Sequence, residues 1–272
     1  MKCTNASVTI LAVKSLFDPD DWEIAQYVSS VPLEIIHKKT RIKLVAIPAG
    51  SFMRGDIHGD WAEDALPHLK AQDPGVGNWI SNRDSEGVKV KVAPFYLSES
   101  VLKRNQCKKL LGKDPSWGSV GPDSPVDHIS YSYAEEHVLK KLGCRFPTED
   151  EWEYACRGGT NTRMLGANSM DDISWHYGNS DKIVHAVKTK IPNGYGLYDM
   201  LGNQWEWCLK DKEATTSVLR GGSFLVDSPD LRVSLRRQLP VDSEERDVGL
   251  RIALTLTASD LYFTSQGRIA HE

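Results

Sequence analysis

Polar and apolar positions alternate along "VKVKVAPFYLSES" (88–100), which predicts a strand with one wet face. Earlier in the chain, "VTILAV" (8–13) reads as a short strand. "DPDDWEIAQYVSSV" (18–31) reads as a helix, capped by Asp18, with Pro19 at its first position and acids in its first turn. "IKLVAIPAGSFMRGD" (42–56) reads as a strand, a Pro-Ala-Gly turn and a second strand, together a hairpin. Three short helices follow. The first, 98–112, ends at Gly112. The second, 132–143, carries a capping box from Ser132 to Glu135 and stops at Gly143. The third, starting in 148–159, is capped by Thr148 and Glu151 and halted by Gly158 and Gly159. On the third, Trp152, Ala155 and Cys156 share one face, the expected core face.

Beyond residue 160 no long helical period is visible. Strands are expected within 197–211, in 217–227 with an interruption at Gly221 and Gly222, and in 248–259. Residues 57–86 and 228–247 are polar and without period. The expected organisation is an N-terminal extension, 1–40, packed on a main domain, 41–272, since forty residues alone make a marginal domain.

Composition narrows the function. The 272 residues carry a formal net charge of -4, so no basic stripe points to nucleic acid or to an anionic membrane. No apolar run approaches the roughly 18 residues of a membrane helix, and no secretory signal is recognised, so a cytoplasmic protein is expected. The five cysteines are scattered without C-x-x-C pairing, and none follows Cys208. Histidines are equally scattered, without ligand spacing. The eight tryptophans sit among turn residues, which indicates an irregular backbone held by large aromatic anchors.

One stretch concentrates the chemistry. In "LYDMLGNQWEWCLKD" (197–211) an extended backbone points Trp205 and Trp207 together into the core and Glu206 the other way. Asp199 lies across the Leu201-Gly202-Asn203 turn. Two carboxylates and turn carbonyls form an oxygen cage of the kind Ca²⁺ prefers. Alternatively Glu206 accepts backbone N–H groups or pairs with an arginine in a rigid turn. In either case it is structural and not a general base.

The ordered set "IPAGSFMRGD", "PFYLSES", "SPVDHISYSYAEEHVLKKLGCRFPTEDEWEYACRGG", "IPNGYGLYDMLGNQWEW", "LRGGSF" and "VGLRIAL" resembles the sulfatase-modifying-factor family, the formylglycine-generating-enzyme-like domains, over about 42–255. The resemblance implies an α+β fold, an elaborated C-type-lectin-like fold: short helices on small antiparallel sheets with much loop. It also implies a structural calcium site at the side chains of Asp199 and Glu206 and the carbonyls of Gly202 and Gln204. A second calcium site, near Asn179, lacks a visible acidic partner.

The founding activity of that family oxidises a client cysteine with copper, held by two cysteines after "RGGSF". Those thiols would fall at Leu225 or Val226 and at Ser228 to Leu231. Aliphatic, hydroxyl and carboxylate groups do not replace a soft thiolate pair, so no copper and no such oxidation are expected. What remains is a binding module. One branch of the family comprises the variable proteins of diversity-generating retroelements, whose ligand-contacting residues lie between the "RGGS" strand and the last strand. Here that is 224–247, framed by Arg220, Gly221, Gly222, Arg232, Arg236, Gly249 and Arg251. The displayed positions that the resemblance implies are Leu225, Val226, Asp227, Val233, Leu235, Arg237, Gln238 and Asp247, a mix suited to a protein ligand. The arginines could instead simply hold carbonyls and carboxylates of the frame. A divergent oxidase and an adaptor domain are the alternative readings.

Overall fold

The structure is a computed structural model, and it describes residues 18, 20–28, 31–55, 87–117, 121–160 and 169–255. The strand expected at 8–13 and the polar stretch 57–86 lie outside the described residues.

The largest sheet has five strands in the order β1-β2-β3-β6-β11. These are β1 (Trp22–Val28), β2 (Val31–His37), β3 (Lys43–Ile47), β6 (Phe95–Ser98) and β11 (Ala253–Thr255), every neighbour antiparallel. β6 is buried at all four positions because it lies between β3 and β11. A second sheet runs β10-β7-β8-β9: β7 (Trp205–Trp207), β8 (Thr216–Arg220), β9 (Arg236–Pro240) and β10 (Val248–Gly249). There β10 pairs with β7 in parallel, while β7 and β9 each pair with β8 antiparallel. β4 (Gly50–Arg54) and β5 (Val88–Val92) form a separate two-stranded ribbon. The helices are short: α1 (Arg104–Leu111), α2 (Tyr131–Ala134, continued by a π-helical turn Glu135–Leu139 and by Lys140–Leu142), α3 (Glu149–Arg157) and α4 (Met170–Ile173). This is an α+β architecture with small antiparallel sheets.

Three assignments of helix and strand are corrected. Residues 18–31 do not form a helix. Asp18 does act as a cap, receiving Asp20 N at 2.8 Å on its side chain, but the turn it starts closes after Trp22 N donates to Asp18 O. Trp22 and Ile24 then alternate toward the sheet, opposite His37 and Ile35, and pairing with β2 satisfies the backbone. The hairpin expected at 42–56 is two strands in different sheets, because β3 pairs with β2 and β6 whereas β4 pairs with β5. The single strand expected at 88–100 divides likewise at Ala93-Pro94 into β5 and β6. Pro94 supplies no N–H, which makes it a natural point of departure from a ladder.

The caps of α3 agree with expectation. Glu151 N donates to Thr148 Oγ1 at 3.1 Å, Thr148 N donates to Glu151 Oε2 at 2.8 Å, and Gly158 ends the helix in the left-handed region. The cap of α2 is Ser130, whose side chain accepts Tyr133 N, and not Ser132. Two apolar clusters form the interior. One joins the five-stranded sheet to α2, Trp205 and Trp207. The other joins Trp152, Ala155 and Cys156 of α3 to Met200, Leu201 and Val233.

Candidate functional site

Glu206 lies wholly inside the protein, on the face of β7 opposite Trp205 and Trp207. Its charge is compensated by Arg251. Arg251 Nε donates to Glu206 Oε2 at 2.9 Å and Nη2 to Oε1 at 2.8 Å, a bidentate pair. Trp152 Nε1 adds a donor to Oε2 at 2.6 Å. The remaining donors of Arg251 reach the carbonyls of Ser98 and Tyr198, both at 2.7 Å. One ion pair therefore ties β7, β6, α3 and the 198–199 turn together. Of the two bland alternatives, pairing with an arginine is what the geometry shows.

The turn before β7 is strained in an ordered way. Asp199, Gly202 and Asn203 all have positive φ, at 56°, 73° and 59°. A Cβ on Gly202 would come within 2.2 Å of Trp175 O, so only glycine fits that crossing. Asn203 clamps the turn from outside: its Oδ1 accepts His185 N and its Nδ2 donates to His185 O, both at 3.1 Å.

Within this turn Asp199 is buried. Its Oδ2 accepts Lys188 N at 2.9 Å, while Oδ1 is enclosed with no hydrogen-bond partner. Burial pushes the carboxyl up to about 6, Glu206 adding to the rise and the Lys188 N–H and Arg251 opposing it. Glu206 uses three of roughly four acceptor directions, leaving one on Oε1. The donor set named for calcium thus keeps an open oxygen on Asp199 and one open direction on Glu206, beside the turn carrying the Gly202 and Gln204 carbonyls. That chemistry fits a hard cation. The side-chain amide of Gln204 is buried without a partner on either atom. Among the described residues no group of three or more His, Cys, Asp or Glu side chains is placed to hold a metal. Near Asn179, the amide donates to Asp171 Oδ1 and Ser174 O and accepts His176 N, the pattern of a capped turn.

The segment from β8 to β10 is only partly a display surface. Val226, Val233 and Leu235 are 5%, 2% and 2% exposed and belong to the apolar clusters, so they are core side chains and cannot contact a ligand. Asp247 is also buried, accepting Ser223 Oγ at 2.8 Å and lying 3.7 Å from Arg237 Nη1. These four positions are corrected: Val226 and Leu235 turn inward into the cluster of Leu231 and Leu219, Val233 turns into that of Trp152 and Met200, and Asp247 serves the frame. Leu225, Asp227 and Arg237 are half-buried, and Gln238 is exposed. The frame arginines do hold carbonyls and carboxylates. Arg220, fully buried, donates to Glu153, Val233 O and Ser234 O, and Glu153 is shared with Arg157. Arg236 grips Glu149 through two bonds of 2.6 and 2.7 Å.

The fold brings two further segments to this face that the sequence reading did not include. Tyr177 N donates to Val226 O and Ser180 Oγ donates to Phe224 O, which seats residues 176–180 against the loop after β8. Tyr177 stays 40% exposed, with Lys182 Nζ 4.7 Å from its ring centre. On the other side His128 N donates to Glu245 O and carries Trp117 stacked on its ring. No local pattern announces either segment, because only the tertiary path places them there. The described cysteines lie elsewhere: Cys107, Cys156 and Cys208 are fully buried and Cys144 is partly so, with every thiol pushed up by burial.

The family profile described as "Sulfatase-modifying factor enzyme 1-like domain" matches residues 36–256. The formylglycine-generating enzyme of Mus musculus is 31% identical over 280 positions, 78% of this chain and 74% of that protein. That of Bos taurus is 31% identical over 166 residues, 48% of this chain and 44% of its own length, so the chain spans less than half of that relative. "Inactive C-alpha-formylglycine-generating enzyme 2" of Bos taurus is 33% identical over 151 residues, covering 47% of this chain and 50% of that protein. Among solved structures, Treponema denticola variable protein 1 superposes with a TM-score of 0.65 at 21% identity, covering 82% of this chain and 99% of the other. At that identity the likeness speaks for the fold, which is the elaborated C-type-lectin-like one.

Proposed function

The chain belongs to the sulfatase-modifying-factor family of formylglycine-generating-enzyme-like domains, and from that premise we propose that it is a binding member and not an oxidising one. The observation that carries this reading is the chemistry after β8. Val226 and Leu231, within the two stretches where the resemblance puts the copper thiols, are alkyl side chains in one apolar cluster, and no cysteine follows Cys208. A soft-metal thiolate pair has no counterpart there. A bovine relative named as inactive supports the idea that the domain is used without this reaction.

The recognition face of this reading consists of Leu225, Asp227, Arg237 and Gln238, joined by Tyr177 and the exposed turn after β9. Its ligand is a protein. The more specific form is a variable protein of a diversity-generating retroelement, supported by the fold it shares with the Treponema denticola variable protein and by the position of the face between β8 and β10. A structural Ca²⁺ at Asp199, Glu206 and the carbonyls of Gly202 and Gln204 belongs to the same reading, supported by the open Asp199 Oδ1. Bound there, it would neutralise the buried Asp199 carboxylate, since Arg251 already balances Glu206, and stiffen the turn that orients β7.

The likeness to the mouse enzyme favours a second reading, a divergent oxidase. One assay separates the two: incubation with copper, oxygen and a sulfatase-type cysteine peptide. No formylglycine is expected by mass spectrometry, and its appearance would overturn the binding reading. In parallel, partners selected by display against the intact protein should lose affinity when Leu225 and Gln238 are changed together, with melting unaltered. Val233→Ala should instead destabilise by about 2–4 kcal/mol, as a core truncation.

A further inference from the structure

Trp117 differs from the other large apolar side chains. It is 67% exposed, the most exposed large hydrophobic among the described residues, whereas Trp152, Trp205 and Trp207 are buried. Yet it is held firmly. Its backbone N donates to Asp127 Oδ1 at 3.0 Å, and Asp127 N donates to Ser116 Oγ at 3.1 Å. Its ring lies flat on His128, with centroids 4.9 Å apart and planes within 11°. His128 is fixed in turn by Asp127 Oδ1, 2.8 Å from its Nδ1, and by the bond from its N to Glu245 O at 3.1 Å. His128 also has φ of 51°, a conformation that disfavours any side chain bearing a Cβ. A strained, buried-carboxylate-anchored histidine therefore covers one face of an indole and leaves the opposite face in solvent.

The adjoining turn is anionic. Asp242 and Glu244 are exposed and Glu245 is half-exposed. The one guanidinium among them, Arg246, lies over the Phe224 ring at 5.6 Å. Asp247 is turned inward to Ser223 and Arg237. An open indole face attracts a cation through the ring quadrupole, and flanking carboxylates strengthen the attraction and steer the approach.

We propose that Trp117, supported by His128 and next to the acidic turn of Asp242, Glu244 and Glu245 that His128 N bonds at Glu245 O, is a binding site for a lysine or arginine side chain of a protein partner. The proposal rests on the recognition-face reading above and names the chemistry of its ligand. The cation sits on the free face of the indole, and the acidic turn supplies the counter-charge.

The test uses the full chain and two probes, an alternating glycine–lysine peptide and its glycine–glutamate counterpart, followed by titration calorimetry. The lysine peptide should bind and the glutamate peptide should not. Trp117→Ala should weaken the lysine peptide about five- to thirty-fold, the range of a cation–π contact, and Trp117→Phe should weaken it less. The paired change Glu244→Gln and Glu245→Gln, on an exposed turn, should weaken binding and flatten its salt dependence. Equal binding of both peptides would overturn the proposal. So would undiminished lysine-peptide binding in the glutamine pair or in Trp117→Ala with normal melting. A display-selected partner that depends on Leu225 and Gln238 but ignores Trp117 would defeat this inference alone and leave the recognition face standing. Dependence on Trp117 with indifference to Leu225 and Gln238 would do the reverse.

Discussion

Arg251 and Glu206 are both completely buried, and they are the pair on which the centre of the molecule depends. A buried ion pair is not a strong net stabiliser, because removing two charges from water costs about as much as their attraction returns. Breaking it is another matter. Arg251→Met would strand Glu206 with only the Trp152 indole, and would also leave the Ser98 and Tyr198 carbonyls without their donor. The expected loss is about 3–5 kcal/mol in denaturant unfolding. A loss below about 1 kcal/mol would mean that water or rearrangement replaces the guanidinium, and that the pair does not organise the core. At this scale the sequence was informative about direction and offered an arginine as one kind of partner without saying which. Alternation placed Glu206 opposite the two tryptophans, but nothing local to "WEW" pointed to an arginine forty-five positions away.

Among elements, the hairpin of β1 and β2 is the clearest case of tertiary context overriding a local signal. Asp18 does cap, and a single turn forms behind it. The Trp-Ile-Tyr-Val content of 22–28 and the partner strand then favour extension. His37 joins the hairpin to the core. It is 4% exposed, its Nδ1 lies 2.7 Å from Thr40 Oγ1, and it packs edge-on to Trp22 at 5.0 Å. Burial holds its pKa below the ordinary 6.5, Asp21 opposing and Lys39 assisting. Because the folded value is the lower one, the unfolded chain binds the proton more readily. The stability contributed by the neutral ring is full above 6.5 and is lost as pH falls through the folded value. Hydrogen exchange should therefore show β1 and β2 amides losing protection at about pH 5 relative to neutral pH, once intrinsic rates are corrected. His37→Gln should remove that dependence, and an unchanged profile in the variant would assign the effect to other groups.

For the whole molecule, the calcium reading makes a prediction that no single contact does. An ion bound only by the native state raises stability by about 2.7 kcal/mol at a hundred times its Kd. For a chain of this size that corresponds to a rise in Tm of roughly 5–10 °C. Chelation should reverse the rise and Asp199→Asn should abolish it. A melting curve indifferent to chelator and to added calcium, with no metal in elemental analysis, would remove the ion from the account. The same scale explains why half of the displayed positions were misplaced. A loop's exposure depends on what lies beneath it, and Leu231, Leu219 and the clusters below pull Val226, Val233 and Leu235 inward. β9, "RRQLP", went unrecognised because it is an edge strand with neither clean alternation nor a continuous apolar run.

What the sequence determined by itself was local or cumulative. The Thr148–Glu151 cap, the glycine stops of α1, α2 and α3, the inward tryptophans of β7 and the missing thiols are written within a few residues each. The ordered motifs carry the resemblance, and the profile matching 36–256 establishes the family. Only the tertiary structure decided which strands pair, since β3 and β4 are neighbours in the chain but belong to different sheets. It alone gave Glu206 its arginine, and it alone brought Tyr177 and Trp117 to the face after β8. The reason is physical. Caps and periods are satisfied by bonds between near neighbours, whereas burial, ion pairing and surface assembly depend on distances that exist only once the chain has closed on itself.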